Sequence, residues 1–523
     1  MKKVILMQPL RYPHSRQQLR AEPDLEQVKA DYLIHQIDQA FRLWTNSPWL
    51  EDLTLESFLE YLLPYRIGNE PLDYWRDSID SRLRERLQEA GRYFDNQKHS
   101  PYNMAQIVYG HALGLDSGKD NLAGIPFSAK ECVFSSQLQL LAYRMVGIPA
   151  AIDHVPYWAD MNGFHEWTVV MDTQNKDILA GQIEMKNAPK VYRRTYSTNP
   201  IPVPEKDEYI PPFFTNPFNR DVTDKYLHTS DVTVSATVPL QARHAYLAIF
   251  NGRELRVVDW SDVQQDKARF HAMGPNIVYF PVYFEKEYQR NFAYPFILRA
   301  NGTTVTLRPD TTRRQTLTLT RKYPLHHNKV YHGNALVGAR FQASNDPTFR
   351  NPVTIHSVTH NPNMQPEIVP VDTTQKYRYW RFNHTKIVEL AEWRFKDKRG
   401  LNLTGKSIDP EGRGARLANI FDNDPLSHGR ISHQLVVDFD HPVSVSEIIY
   451  LPRNDANGVY PGNEYELLYF DLGGWQSLGC KIATGYSVEF ENVPSNAVYW
   501  LRNHTAGKEE RVFTIQNGEQ RFW

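Results

Sequence analysis

The chain of 523 residues is too long for one hydrophobic core, and about 150 residues per domain gives three or four domains. Hydrophobic residues at 41% against 23% charged exclude a mainly disordered chain. Lys+Arg 59 against Asp+Glu 60 leaves a net charge of −1, so no global field recruits nucleic acid or anionic lipid. Aromatics at 12% and 34 prolines favour β-sandwiches and surfaces that stack on flat or sugar-like ligands. Two distant cysteines, Cys132 and Cys480, exclude a disulfide framework and a zinc site built on cysteines.

The first apolar run, Val4-Ile5-Leu6-Met7, is far short of a signal-peptide core or a membrane span. The expectation is therefore a cytoplasmic chain, or one whose export segment lies outside this sequence. Residues 24–97 read as helices. Apolar positions recur every three or four residues in Leu25 to Ile34 and again in Leu55 to Leu63, where Pro64 stops the pattern. A third helix is expected over 74–93.

From about 105 to 200 the pattern is mixed α/β: a helix over 129–146, then strands over 150–156, 165–172 and 178–184. Pro200, Pro202, Pro204, Pro211 and Pro212 mark a boundary, and the chain beyond reads as strand to its end. Alternating runs such as Val232 to Val238 and Thr303 to Leu307 carry that signal, with Asn251-Gly252 and Asn301-Gly302 as hairpin turns. The expected class is multidomain α+β, helical at first and then all-β. The expected segments are 1–100 (helical), 101–210 (mixed core), 218–325 (β-sandwich), 326–400 (a reduced β unit) and 401–523 (β-sandwich).

Ser128-Ala129-Lys130-Glu131-Cys132 is the segment richest in chemistry. Ser128 with Glu131 forms a capping box, which puts Cys132 in the first turn of a helix. There the partial positive charge of the backbone favours a thiolate nucleophile, and Gly147 with Pro149 supplies the helix stop. A thiolate needs a base. His165 opens an evident strand, His165-Glu166-Trp167-Thr168-Val169-Val170-Met171, in which His165, Trp167, Val169 and Met171 share a face. The group that orients the imidazole falls on the next strand, where Gln182 and Glu184 are the candidates, with Asp172 and Asp177 flanking the turn.

Together, Cys132, the segment Arg144-Met145-Val146-Gly147-Ile148-Pro149 and His165-Glu166-Trp167 resemble the transglutaminase-like cysteine enzyme core over residues 100–190. That family includes cysteine proteases and peptide N-glycanases. The resemblance implies a papain/transglutaminase-like core, with Cys132 as nucleophile and His165 as base. Two features depart from the family: Gln182 stands where an Asp is usual, and Lys130-Glu131 replaces the usual Gly before the nucleophile. Leu62 to Leu72 is similar to a segment of multidomain transglutaminase-like proteins of gut Bacteroidetes, many of them exported lipoproteins. This implies a periplasmic, cell-surface or secreted protein with a possible lipid-anchored precursor.

In the C-terminal half, Asn419 to Leu426, Leu435 to Phe439 and residues 445–450 resemble the discoidin (coagulation factor 5/8 type C) carbohydrate-binding module over 415–523. Ala339 to Asp346, Tyr377 to Phe382 and Ala391-Glu392-Trp393 look like parts of a reduced second copy. Sugars offer one apolar face and an edge of hydroxyls, so their sites pair an aromatic with planar polar groups. The polar loop holding Arg453, Asn454, Asp455, Asn457 and Tyr460 is the candidate; Asp422 and Asp424 are turn formers, with a structural Ca²⁺ as the alternative. Cys480 is expected to be buried.

Two readings follow. One is a cysteine-dependent hydrolase or acyltransferase acting on peptide, glycopeptide or amide bonds, with glycan-binding β domains and no metal or organic cofactor. The other is an inactive transglutaminase-like scaffold that binds glycans or proteins. The partners expected are a peptide, glycoprotein or glycan, not nucleic acid.

Overall fold

The computed structural model describes residues 23–68, 72, 74–77, 101, 104–105, 108, 132–171, 177–179, 185–205, 208–236, 242–325, 327–372, 374–507 and 509–523. They fall into two compact units: residues 1–251 with 255–306, and residues 252–254 with 307–523. The described residues are mostly strand, arranged in several antiparallel sheets, so the β-rich multidomain architecture is as expected. Among them no helix is long and apolar enough to cross a membrane.

The first unit begins with a helical turn, α1 (Asp24–Gln27), followed by α2 (Ala30–Asn46) and α3 (Leu55–Tyr61). Thr54 Oγ1 accepts the Ser57 N–H at 3.2 Å and caps α3, which ends ahead of Pro64. Most of the helix expected over 74–93 lies outside the described residues; Trp75–Asp77 is a 3₁₀ turn.

Helix α4 (Cys132–Met145) follows the expected segment closely. Its end shows why Arg-x-x-Gly-Ile-Pro stops a helix. The Gly147 N–H donates to Arg144 O at 3.2 Å and the Ile148 N–H to Tyr143 O at 2.9 Å, a Schellman closure. Gly147 sits at φ +79°, and a Cβ there would meet Ser47 Oγ at 3.1 Å, so both conformation and space require glycine. Arg144 is buried and donates to Tyr61 O, Ala150 O and the Tyr196 hydroxyl, tying the helix end to α3 and to the strand that follows.

That strand is β1 (Ala150–Val155), and β2 (His165–Met171), β3 (Asp177–Leu179), β4 (Tyr192–Arg194) and β5 (Asn219–Asp221) complete a five-stranded sheet of order β3-β2-β1-β4-β5. Alternation gives it two apolar faces. Ala150, Ile152 and Val170 pack against Leu140, Tyr143 and Val146 of α4. Ala151, Val155, Trp167, Val169 and Met171 pack on the other side with Val191 and Val222. Fully burying a Val, Leu, Ile or Met side chain among these contributes about 1.5–3 kcal/mol.

The rest of the first unit is an eight-stranded sheet running from Ser230–Ser235 to Thr304–Thr306. Its turns include the expected Asn251-Gly252 and Asn301-Gly302, with Gly252 at φ +63° and Gly302 at +79°. The expected limit at 325 is too late. The next strand, Asp310–Leu319, pairs with Val488–Ser495 in the second unit, a long-range choice of partner that turn signals do not reveal.

In the second unit, two sheets enclose a core containing Phe341, Trp380, Phe382, Trp393, Phe395 and Tyr450. The expected cut at 400/401 passes through this sandwich, because Tyr377–Asn383 pairs with Gln434–Val443. A second core, with Leu317, Tyr465, Leu467, Phe490, Tyr499 and Phe513, underlies the five-stranded sheet from Glu464–Asp471 to Glu519–Phe522. The segment 415–523 contributes residues to both cores.

Candidate functional site

Cys132 is the first residue of α4 and is partly exposed; the expected capping box, Ser128 with Glu131, and Lys130 lie outside the described residues. The helix is registered on β2 by polar contacts in an otherwise apolar interface. Ser136 Oγ donates to Glu166 Oε1 at 2.7 Å, and Thr168 Oγ1 donates to Ser136 O at 2.9 Å. Leu140 and Tyr143 then meet Val170, so helix and strand run in the same direction. Four residues back along the helix from Ser136 is roughly 6 Å, and two residues back along the strand from Trp167 is roughly 7 Å. Cys132 and His165 thus stand at the same level along the pair.

They do not share a side. His165 is paired with Val155, and its ring stacks on Trp167 with centroids 5.8 Å apart, on the face opposite α4. Ahead of His165 the chain passes through Gly163, at φ +93°, and the exposed Phe164. Among the described residues no hydrogen bond joins Cys132 to His165. Burial pushes the His165 pKa down from its ordinary value, opposed in part by the Glu166 carboxylate. Gln182 and Glu184, the expected orienting residues, and Asp172 lie outside the described residues; Asp177 opens β3 opposite Met171.

Several residues that position this site have no signature in the sequence. Glu166 faces α4, and besides Ser136 it holds Arg194 Nη2 at 2.5 Å. His154 lies opposite Glu166 on that face, beside Tyr192 and Phe213. Its Nδ1 is buried without a partner among the described residues, and burial, reinforced by Arg194, pushes its pKa down to about 3. On the His165 face, Trp167 Nε1 donates to Tyr226 Oη at 3.1 Å, and that hydroxyl donates to Asp153 Oδ2 at 2.6 Å. Arg193 closes the chain with a bidentate pair to Asp153, both bonds 2.8 Å. The loop leading into β2 is held by Asn251, whose amide donates to Trp158 O, Met161 O and Gly163 O and accepts from the Gly163 N–H.

The loop expected to bind sugar is differently disposed. Tyr460 is 6% exposed and its hydroxyl donates to Asn454 Oδ1, so its ring offers no open platform. Asp455 pairs with Arg321 at 2.5 Å, Asn457 donates to Glu509, Arg453 pairs with Glu389 at 2.8 Å, and Asn454 donates to Pro425 O. These five groups are each engaged by neighbours within the second unit. Asp422 and Asp424 form Asx turns, accepting the Asp424 and Leu426 N–H groups. An open cleft of about 820 Å³ elsewhere in this unit is lined by the carboxamides of Asn363, Gln365 and Gln516 together with charged Arg321, Glu519 and Arg521. Cys480 is exposed, not buried.

Compared with protein families, with curated proteins and with solved structures, the chain matches none.

Proposed function

We propose that this chain is a cysteine-dependent hydrolase or acyltransferase of the transglutaminase-like type, acting on an amide bond of a peptide or glycopeptide. One observation carries the reading: the pinning of Ser136 to Glu166 and Thr168 brings the N-terminus of α4 level with the start of β2. Cys132 attacks the carbonyl, His165 takes the thiol proton and returns it to the leaving amine, and the acyl-enzyme is resolved by water or by a second amine. Glu184 or Gln182 would orient His165. The polar cleft, with carboxamide and charged groups and Phe522 in its lining, suits a ligand rich in hydroxyls and would hold glycan-bearing substrate, raising its local concentration.

A second reading, an inactive scaffold that binds glycans or proteins, is favoured by the packing of His165 on Trp167, away from α4. Thiol alkylation separates the two. Cys480 is exposed and reacts on its own account, so the experiment uses a Cys480→Ser background. The enzyme reading expects Cys132 in the folded chain to alkylate near neutral pH, with a pH profile that moves in His165→Ala. Alkylation of Cys132 only after unfolding, or a profile unchanged by His165→Ala, leaves the scaffold reading.

A further inference from the structure

We propose that the C-terminal sheet carries a divalent-metal site, of the kind that takes zinc, formed by Glu466, Cys480 and His504. One ligating atom from each lies within 4.8 Å of the other two, and among the described residues no other group of His, Cys, Asp and Glu meets that spacing. The three come from sequence positions with no local motif. Strand pairing assembles them: Glu466 on the strand Glu464–Asp471 lies opposite Cys480 of Gly474–Ile482 on one side and opposite Arg502 of Tyr499–Asn503 on the other. His504, two residues beyond Arg502, follows on the same face, its N–H donating to Glu464 O at 2.9 Å. The adjacent Tyr465 and Leu467 are buried in the core, so the outer face of a rigid sheet presents the cluster to solvent.

Local geometry favours ligation. His504 Nε2 is 2.9 Å from Glu466 Oε2, and the Ser477 hydroxyl donates to Oε1 at 2.7 Å, orienting the carboxylate from behind. Between Ser477 and Cys480 the strand is irregular, with Gly479 at φ +95°, and this brings both residues to the same glutamate. The Arg502 guanidinium also donates to Oε2, at 3.4 Å, and the metal takes that oxygen in competition with it. A thiolate, an imidazole and a carboxylate suit zinc over calcium or magnesium, and three protein ligands leave a fourth position for water. On binding, the Cys480 sulfur gives up its proton to solvent, His504 Nε2 gives up the proton it shares with Glu466, and both atoms bond to the metal with no redox change. The site is independent of the Cys132 chemistry.

The test is titration of the chelator-treated full chain with Co²⁺, followed by the thiolate-to-cobalt charge-transfer band and the visible bands of a tetrahedral ion, and then displacement by Zn²⁺. The expected result is one equivalent bound, with both signals retained in Cys132→Ser and lost in Cys480→Ser. In His504→Gln the tetrahedral spectrum is expected to disappear, and in Ser477→Ala affinity is expected to fall roughly 10-fold or more. Ser477, Cys480 and His504 lie on the outer face of the sheet, and circular dichroism confirms folding of each variant. Absence of a charge-transfer band, a band that survives Cys480→Ser, or a spectrum unmoved by His504→Gln overturns the proposal.

Discussion

Asn251 and Gly163 exchange two hydrogen bonds: the Gly163 N–H donates to Asn251 Oδ1 at 3.1 Å, and Asn251 Nδ2 donates to Gly163 O at 3.1 Å. One side chain, 88 residues away in the chain, thus substitutes for a strand partner at the loop that delivers His165. Asn251 is buried, and its amide also serves Trp158 O and Met161 O. Asn251→Ala is therefore expected to leave buried carbonyls unsatisfied and to cost about 1–3 kcal/mol in urea unfolding. Asn251→Asp keeps the acceptor and loses the donors, so it should not rescue. A change within error in both variants would show that the loop holds itself.

The register of α4 on β2 rests on Ser136. Ser136→Ala removes the donor from Glu166 Oε1 and should cost about 1–3 kcal/mol. If this register also sets the site, the same substitution should alter the alkylation rate of Cys132 in the folded chain. Unchanged stability and unchanged rate together would show that the apolar packing of Leu140 and Tyr143 sets the register unaided.

His154 predicts a pH dependence. Its pKa in the folded chain is about 3, pushed down by burial, against 6.5 for an unperturbed histidine. Between these values the unfolded chain binds a proton that the folded chain does not, so stability falls as pH drops through 6.5 toward 3. His154→Phe, which fits beside Tyr192 and Phe213, should flatten that acid limb and leave stability near pH 8 almost unchanged. Parallel stability curves for the two proteins from pH 8 to pH 4 would contradict this origin.

Lys190 is buried, and its ammonium pairs with Asp221 and with Asp259, the latter at 3.3 Å. Lys190→Met leaves carboxylates without their cation and is expected to cost about 3–5 kcal/mol, measured by denaturant unfolding of the first unit. A loss below 1 kcal/mol would mean that water or protonation compensates.

Tyr460 separates a structural loop from a glycan site. Tyr460→Phe removes the hydrogen bond to Asn454 and should cost about 1 kcal/mol, with no effect on retention by immobilised glycans. Reduced retention in a fully folded variant would restore the loop as a binding site.

Local patterns determined a good deal of this protein. Three- and four-residue spacing marked α3, while the same spacing in Leu25 to Ile34 ran across the extended break at Val28-Lys29 between α1 and α2; Gly147 with Pro149 marked the end of α4. Alternation placed His165, Trp167, Val169 and Met171 on one face of β2, and Asn-Gly pairs marked two hairpins. Such features depend on groups within a few residues of one another, so backbone sterics and burial of one stripe suffice to specify them.

Everything that depends on which distant segments pair was decided by the tertiary structure. The pairing of Asp310–Leu319 with Val488–Ser495, the sandwich running through residue 400, the side of β2 on which α4 packs, and the inward turn of Tyr460 are all of this kind. Glu466, Cys480 and His504 meet for the same reason: in a sheet, neighbours are chosen by strand order and register, and the free energy that selects them comes from burying cores built from the whole chain.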